Sequence, residues 1–204
     1  LSFDDYLELR RFALVTETLH NNRPFEAFFR YAISLGQSRF QFLNRVFNSL
    51  EDAPEEVRKV VDNFMAETRS ELWPSDTDMI NHYQQDDNYQ NLLAGEVGGN
   101  LIYKYKSMSL ALTIPHWITF LIAQLKQVAK ERLGDTLEFE NAYREIEALS
   151  EFSRNKTWRF LEQDSGDEIV SMKSDFDFVT WLDSPEDEAL SSHAVTTPIE
   201  YFFE

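Results

Sequence analysis

The chain of 204 residues contains no cysteine. That excludes a disulfide framework, a thiolate metal site, a cysteine nucleophile and an iron–sulfur cluster held by this chain's own sulfurs. Glycine and proline are scarce, at six residues each, so tight turns are few and long regular elements are expected. No long hydrophobic run is present. The longest, Ile114-Pro-His-Trp-Ile-Thr-Phe-Leu-Ile-Ala123, reaches about half of the ~20 residues that a spanning helix needs, so no membrane span is expected. Basic residues are also short: 19 Lys and Arg face 36 Asp and Glu, for a formal charge of −17. Phosphate backbones repel such a chain, so nucleic acid is not an expected partner. The sequence opens at Leu1 without a secretory leader pattern, as an excised, cytoplasmic domain would.

What is abundant is aromatic and acidic. Aromatic residues make up 14%, with 17 Phe, and hydrophobic content is 43%, which is globular rather than disordered. The acid is unevenly spread. Residues 163–204 carry eleven Asp and Glu against one Lys. An acidic surface of this kind is ordinarily a solubility feature.

Hydrophobic spacing predicts helix after helix as far as Leu161. Ser2 is a plausible N-cap for a helix to Leu19, with Asp4 and Asp5 in its first turn. Asn21-Asn22-Arg23-Pro24 reads as a turn, with Pro24 at a helix first position. Phe25, Phe28, Phe29 and Ala32 then form one apolar face, closed by Gly36. Phe40, Leu43, Phe47 and Leu50 repeat the pattern, as do Val57, Val60, Val61, Phe64, Thr68 and Leu72 before Pro74. A short helix through Met79, Ile80 and Tyr83 is expected after Ser75, with Asp86-Asp87-Asn88 as a surface turn. Further helices are expected from Asn100 to Leu112, from Pro115 to Gly134 and from Leu137 onward.

The last forty residues change character. Residues 168–182 and 198–203 read as two aromatic strands, and Asp175-Phe-Asp-Phe178 would put both aspartates on one face and both phenylalanines on the other. The expected fold is therefore mainly α: an irregular multi-helix array over residues 1–162, with residues 163–204 forming an acidic tail that packs on it as a small β-hairpin or sheet. Too little chain remains for the tail to build a core of its own. It is expected to leave an exposed strand edge.

Candidate sites are sparse. Asp78, His82 and Asp86 lie at helical i, i+4 spacing and could hold a divalent metal, although such a stripe is ordinarily a solvated helix face. Carboxylate pairs are so numerous that none stands out as an acid–base couple. No nucleophile elbow, phosphate loop or dinucleotide fingerprint occurs, and no catalytic residue is assigned. The segment from Gly95 to Lys106 leads flexible residues into a helix start, where free N–H groups bind anions. Asn100, Tyr103, Lys104 and Lys106 are its candidate ligand-binding residues. The ordinary alternative is close backbone approach at the glycines, with the lysines snorkelling from a buried helix.

Three stretches together resemble the region after the barrel in cobalamin-binding radical S-adenosylmethionine enzymes, the group of the magnesium-protoporphyrin monomethyl ester oxidative cyclases. They are Ser2-Phe-Asp-Asp-Tyr-Leu-Glu-Leu-Arg-Arg-Phe-Ala13, Asn21-Asn22-Arg23-Pro24-Phe25, and Phe176-Asp-Phe-Val-Thr-Trp-Leu182 with Pro198-Ile-Glu-Tyr-Phe-Phe203. The similarity touches both ends of the chain and fades in the middle. It implies a non-catalytic, C-terminal accessory domain that shapes a substrate pocket or holds a partner. S-adenosylmethionine, the iron–sulfur cluster and cobalamin would belong to the upstream domains, and this chain would bind none of them. The alternative expectation is an acidic helical module that binds a protein through its C-terminal strands. A third is a small-molecule-binding helical domain using the Gly95–Lys106 segment.

Overall fold

The structure is a computed structural model that describes residues 2–73, 75–94, 99–157 and 169–203. Nine helices precede the tail among these residues: α1 (Phe3–Leu19), α2 (Glu26–Ser34), α3 (Arg39–Asn48), α4 (Glu55–Ser70), α5 (Asp76–Tyr83), α6 (Asp86–Leu93), α7 (Leu101–Leu112), α8 (Ile114–Leu133) and α9 (Leu137–Thr157). The tail adds β1 (Val170–Phe176), α10 (Phe178–Asp183) and β2 (Ala194–Phe203). The fold is mainly α with a small C-terminal antiparallel sheet, as the residue pattern implies.

Local chemistry sets most helix ends. Ser2 with Asp5, and Ser38 with Gln41, form reciprocal capping boxes at the starts of α1 and α3. At the end of α2 the Gly36 N–H bonds the Ile33 carbonyl at 2.7 Å and the Gln37 N–H bonds the Ala32 carbonyl at 2.9 Å. That pair of bonds needs a left-handed residue, and Gly36 supplies it at φ +80°. Pro115 lies at the start of α8, where its missing N–H costs nothing. α7 and α8 meet at Thr113 with a bend of 86°. No single helix among the described residues is long and apolar enough to cross a membrane.

Two cores result. The larger runs from Val15 and Leu19 through the buried faces of α2, α3, α8 and α9, and it includes Met172, Phe178, Trp181 and Tyr201 of the tail. The tail is thus continuous with the helical core. The smaller core joins Leu14 of α1, Val60 and Phe64 of α4, and Leu101 and Tyr105 of α7.

Several expectations change. On α3 the buried face is Phe42, Leu43, Val46 and Phe47, whereas Phe40 is 65% exposed and only touches Phe12 at its edge. Leu72 lies beyond the end of α4 and is exposed. Pro24 precedes α2 by two residues, in a turn where Asn22 and Arg23 both take positive φ. Asp86-Asp87-Asn88 is no surface turn: the two aspartates and the asparagine open α6, where negative charge favours the helix start. Finally, 168–182 is not one strand. β1 stops at Phe176, and Phe178-Val-Thr-Trp-Leu-Asp183 is helical. Glu168 and the end of α9 beyond Thr157, with the expected boundary near residue 162, lie outside the described residues.

The sheet is β1 against β2 alone among the described residues. Met172 pairs with Tyr201 and Ser174 with Ile199 on the inner face; Lys173 pairs with Glu200 and Ser171 with Phe202 outside. The register then slips, so that Phe176 faces Ala194. Pro198 falls within that slip, where a residue without an N–H does least harm.

Candidate functional site

An arginine buried in the helical body holds the tail. Arg30 of α2 is 3% exposed and donates from Nη1 to the Leu182 carbonyl at 2.9 Å. Its Nη2 donates to the Pro185 carbonyl at 2.8 Å and to Ser184 Oγ at 3.0 Å. The guanidinium therefore satisfies the Leu182 carbonyl at the end of α10 and joins the Glu188 N–H on the Pro185 carbonyl, while it lies over the Trp181 ring. Arg39 adds a second tie, bridging Glu26 of α2 to Glu186 of the tail loop. Arg39 beside Glu186 holds that carboxyl below the usual carboxylate range. Sequence reading passed over both arginines, because nothing in their spacing separates them from solvated ones.

Inside the tail, Phe178 is the pivot. It stacks on Phe152 of α9 at 4.5 Å and 21°, and Tyr201 and Phe203 close around Phe152 from β2. The Tyr201 hydroxyl accepts from the Phe178 N–H at 2.8 Å and donates to the Phe176 carbonyl at 2.9 Å. Burial raises the pKa of this phenol. Asp177 caps α10, accepting from the Thr180 N–H at 3.0 Å and from Thr180 Oγ1 at 2.7 Å. Those Thr180 bonds hold its carboxyl below the usual range. Asp177 therefore ends a strand rather than lining its wet face, and Phe178 enters the core from a helix.

Between this tail and α9 lies a cavity of about 510 Å³. α9 contributes Arg144, Glu145 and Ala148 to its wall, and β1 contributes every residue from Met172 to Phe176. Side chains of a strand alternate between faces, so five consecutive lining residues mean that the strand's edge opens onto the cavity. β2 pairs along one side of β1, and Ala194 at the start of β2, with Ser191 before it, completes the lining at the Phe176 end.

Glu145 sits at the floor of the cavity. Burial raises its pKa, and the bond from Tyr31 opposes that rise only in part. The Tyr31 hydroxyl is 2.9 Å from Glu145 Oε2 and 3.1 Å from the Ala142 carbonyl. One phenolic proton faces two acceptors there. The phenol donates to Glu145 Oε2, the nearer of the two. Burial and the adjacent carboxylate both push the Tyr31 phenol far above its ordinary range.

The expected ligand segment is only partly assembled. Asn100 caps α7 through the Tyr103 N–H, and with Tyr103 and Lys106 it lines a second cavity of about 490 Å³ against α1. Lys106 pairs there with Glu17 at 3.1 Å. Lys104 points elsewhere: it pairs with Glu67 of α4 at 2.8 Å, and Glu67 also accepts from the Tyr105 hydroxyl at 2.6 Å. Burial, with Glu67 beside it, pushes the Tyr105 phenol up to about 12. Both lysines are thus structural ties as well as charges. Residues 95–98 lie outside the described residues.

Asp78, His82 and Asp86 do not converge. Asp78 accepts from Ser75 at 2.7 Å, and His82 packs against the Trp73 ring at 4.5 Å and bonds Asn88. Asp86 opens the next helix. No group of three His, Asp or Glu placed to hold a metal ion occurs among the described residues.

No protein-family model, curated protein or solved structure matches this chain.

Proposed function

We propose that the chain is a non-catalytic, C-terminal accessory domain of a cytoplasmic, multidomain, cobalamin-dependent radical S-adenosylmethionine enzyme, and that it holds an extended segment of its partner domains on the edge of β1 that carries no strand among the described residues. The observation that carries the docking mode is the cavity between α9 and β1, lined by five successive strand residues. An extended segment entering there would gain main-chain hydrogen bonds from β1, and its side chains would reach Glu145 and Arg144 on α9. The resemblance at both ends of the chain supports the enzyme class. With no cysteine, this chain cannot supply thiolates to an iron–sulfur cluster, so no step of the chemistry is assigned to it.

The test has two arms. The parent reading frame should encode cluster-binding and cobalamin-binding domains upstream, and a frame without them sinks the enzyme assignment. Overlapping peptides covering that frame should include one that binds the purified chain. Asn141→Trp, at an exposed position on the cavity wall, should weaken that peptide at least tenfold and leave the melting temperature unchanged. Unchanged affinity would remove β1 as the docking edge.

A further inference from the structure

We propose that the α5–α6 hairpin is a second docking surface, and that its occupant is a cationic amphipathic helix of a partner protein. α5 and α6 are eight residues each, and neither contains a buried residue. Isolated helices that short are marginal in water, and helices in proteins normally owe their stability to a packed apolar face. Here that face is exposed. Met79 and Ile80 of α5 and Tyr89, Leu92 and Leu93 of α6 are between 37% and 64% exposed, at spacings that give each helix one apolar side. A cluster of exposed apolar residues on two adjacent helices marks an interaction surface more than a solvated one.

Charge selects the occupant. No Lys or Arg occurs between Arg69 and Lys104, whereas Asp76, Asp78, Asp86 and Asp87 all fall there. An apolar face flanked by these carboxylates complements a helix whose apolar side is flanked by Lys and Arg. It repels a second copy of itself and an anionic lipid surface. Beside α5 a cavity of about 430 Å³ is lined by Glu67, Trp73, Met79, His82 and Tyr83. Glu67 is already engaged by Lys104 and Tyr105, so what the cavity offers to one cation of the incoming helix is the aromatic faces of Trp73 and Tyr83.

The experiment uses the whole chain and a fluorescent synthetic helix of Leu and Lys with amphipathic spacing, followed by anisotropy. Two control peptides accompany it: the same composition scrambled to destroy the apolar face, and the same pattern with Glu for Lys. The amphipathic cationic peptide should bind at least tenfold more tightly than either control. The charge-neutral double variant Ile80→Ser, Leu93→Ser should lose that preference while keeping the wild-type melting temperature, because both side chains are exposed. Equal binding of the scrambled peptide, or full binding to the double variant, would reduce the effect to net charge and overturn the proposal. Sedimentation that shows a concentration-dependent dimer abolished by the same variant would also overturn it, in favour of a second copy. So would binding of the chain to zwitterionic phosphatidylcholine vesicles through these residues.

Discussion

The guanidinium of Arg30 lies 5.3 Å from the centre of the Trp181 ring, with 150 residues of chain between them. Arg30 belongs to the second helix and Trp181 to the last, so this contact joins the tail to the body. The same guanidinium meets three oxygens of residues 182–185. Removing it takes the Arg30 bond from the Leu182 carbonyl in a partly buried site, while the Pro185 carbonyl keeps the Glu188 N–H. Arg30→Ala should destabilise the protein by about 3 kcal/mol, since losing a charged hydrogen-bonding partner exposes the full desolvation cost of what it leaves behind. Arg30→Lys should recover only part of that, because an ammonium lacks the planar fork. Urea denaturation of both variants checks the order.

Phe178 and Phe202 lie in the same aromatic tail, but only Phe178 is sealed from water. Phe178→Ala should cost about 3–5 kcal/mol by leaving a cavity against Phe152. Phe202→Ala, at a 64% exposed position, should stay within about 0.5 kcal/mol of wild type. Thermal melts of the two variants check this difference in burial.

Asp177 caps α10, so Asp177→Ala should cost about 1 kcal/mol at neutral pH. Its carboxyl is held below the ordinary value of 3.8, so its contribution is full above that value and fades as pH falls through the lower folded value. The gap between wild type and Asp177→Ala should therefore narrow in acid. Chemical denaturation at a series of pH values below 5 checks this sign.

Glu145 behaves in the opposite sense. Burial raises its pKa above the ordinary 4.5, so the folded state holds its proton longer than the unfolded chain does. The stability this confers is complete below 4.5 and is lost as pH rises through the folded value. Glu145→Gln puts a neutral amide beside Tyr31 and should be neutral or stabilising at pH 7, by up to about 1 kcal/mol. Its advantage over wild type should disappear in acid. The same denaturation series read for the two proteins tests it.

The places where sequence reading succeeded and failed have physical causes. Ser2, Ser38 and Gly36 act within one helical turn of themselves, so caps and stops were legible or nearly so. Phe40 and Phe42 are both compatible with a helical apolar stripe, and only packing against Phe29 selected Phe42. Asp86-Asp87-Asn88 looks the same as a turn or as a helix's first residues, because short polar side chains serve both. Phe178-Val-Thr-Trp181 is rich in strand formers, yet its i, i+3 aromatic pair buries on Phe152 and under Arg30 only when wound as a helix. Tertiary packing outweighs β-propensity there. Of the candidate ligand residues, Asn100, Tyr103 and Lys106 share one cavity, but Lys104 was claimed by Glu67, thirty-seven positions away.

The amino-acid sequence by itself determined that this chain is a helical protein with an aromatic, acidic, strand-bearing end. Apolar periodicity, caps and charge are local properties, readable over a few residues. The tertiary structure alone decided that Arg30 would lock that end to the second helix, that a cavity would lie between β1 and α9, and that Glu145 would line it. Each depends on burial created by residues far away in the chain. Burial sets both the strength of a hydrogen bond and the ionisation of a carboxyl, and no local pattern encodes it.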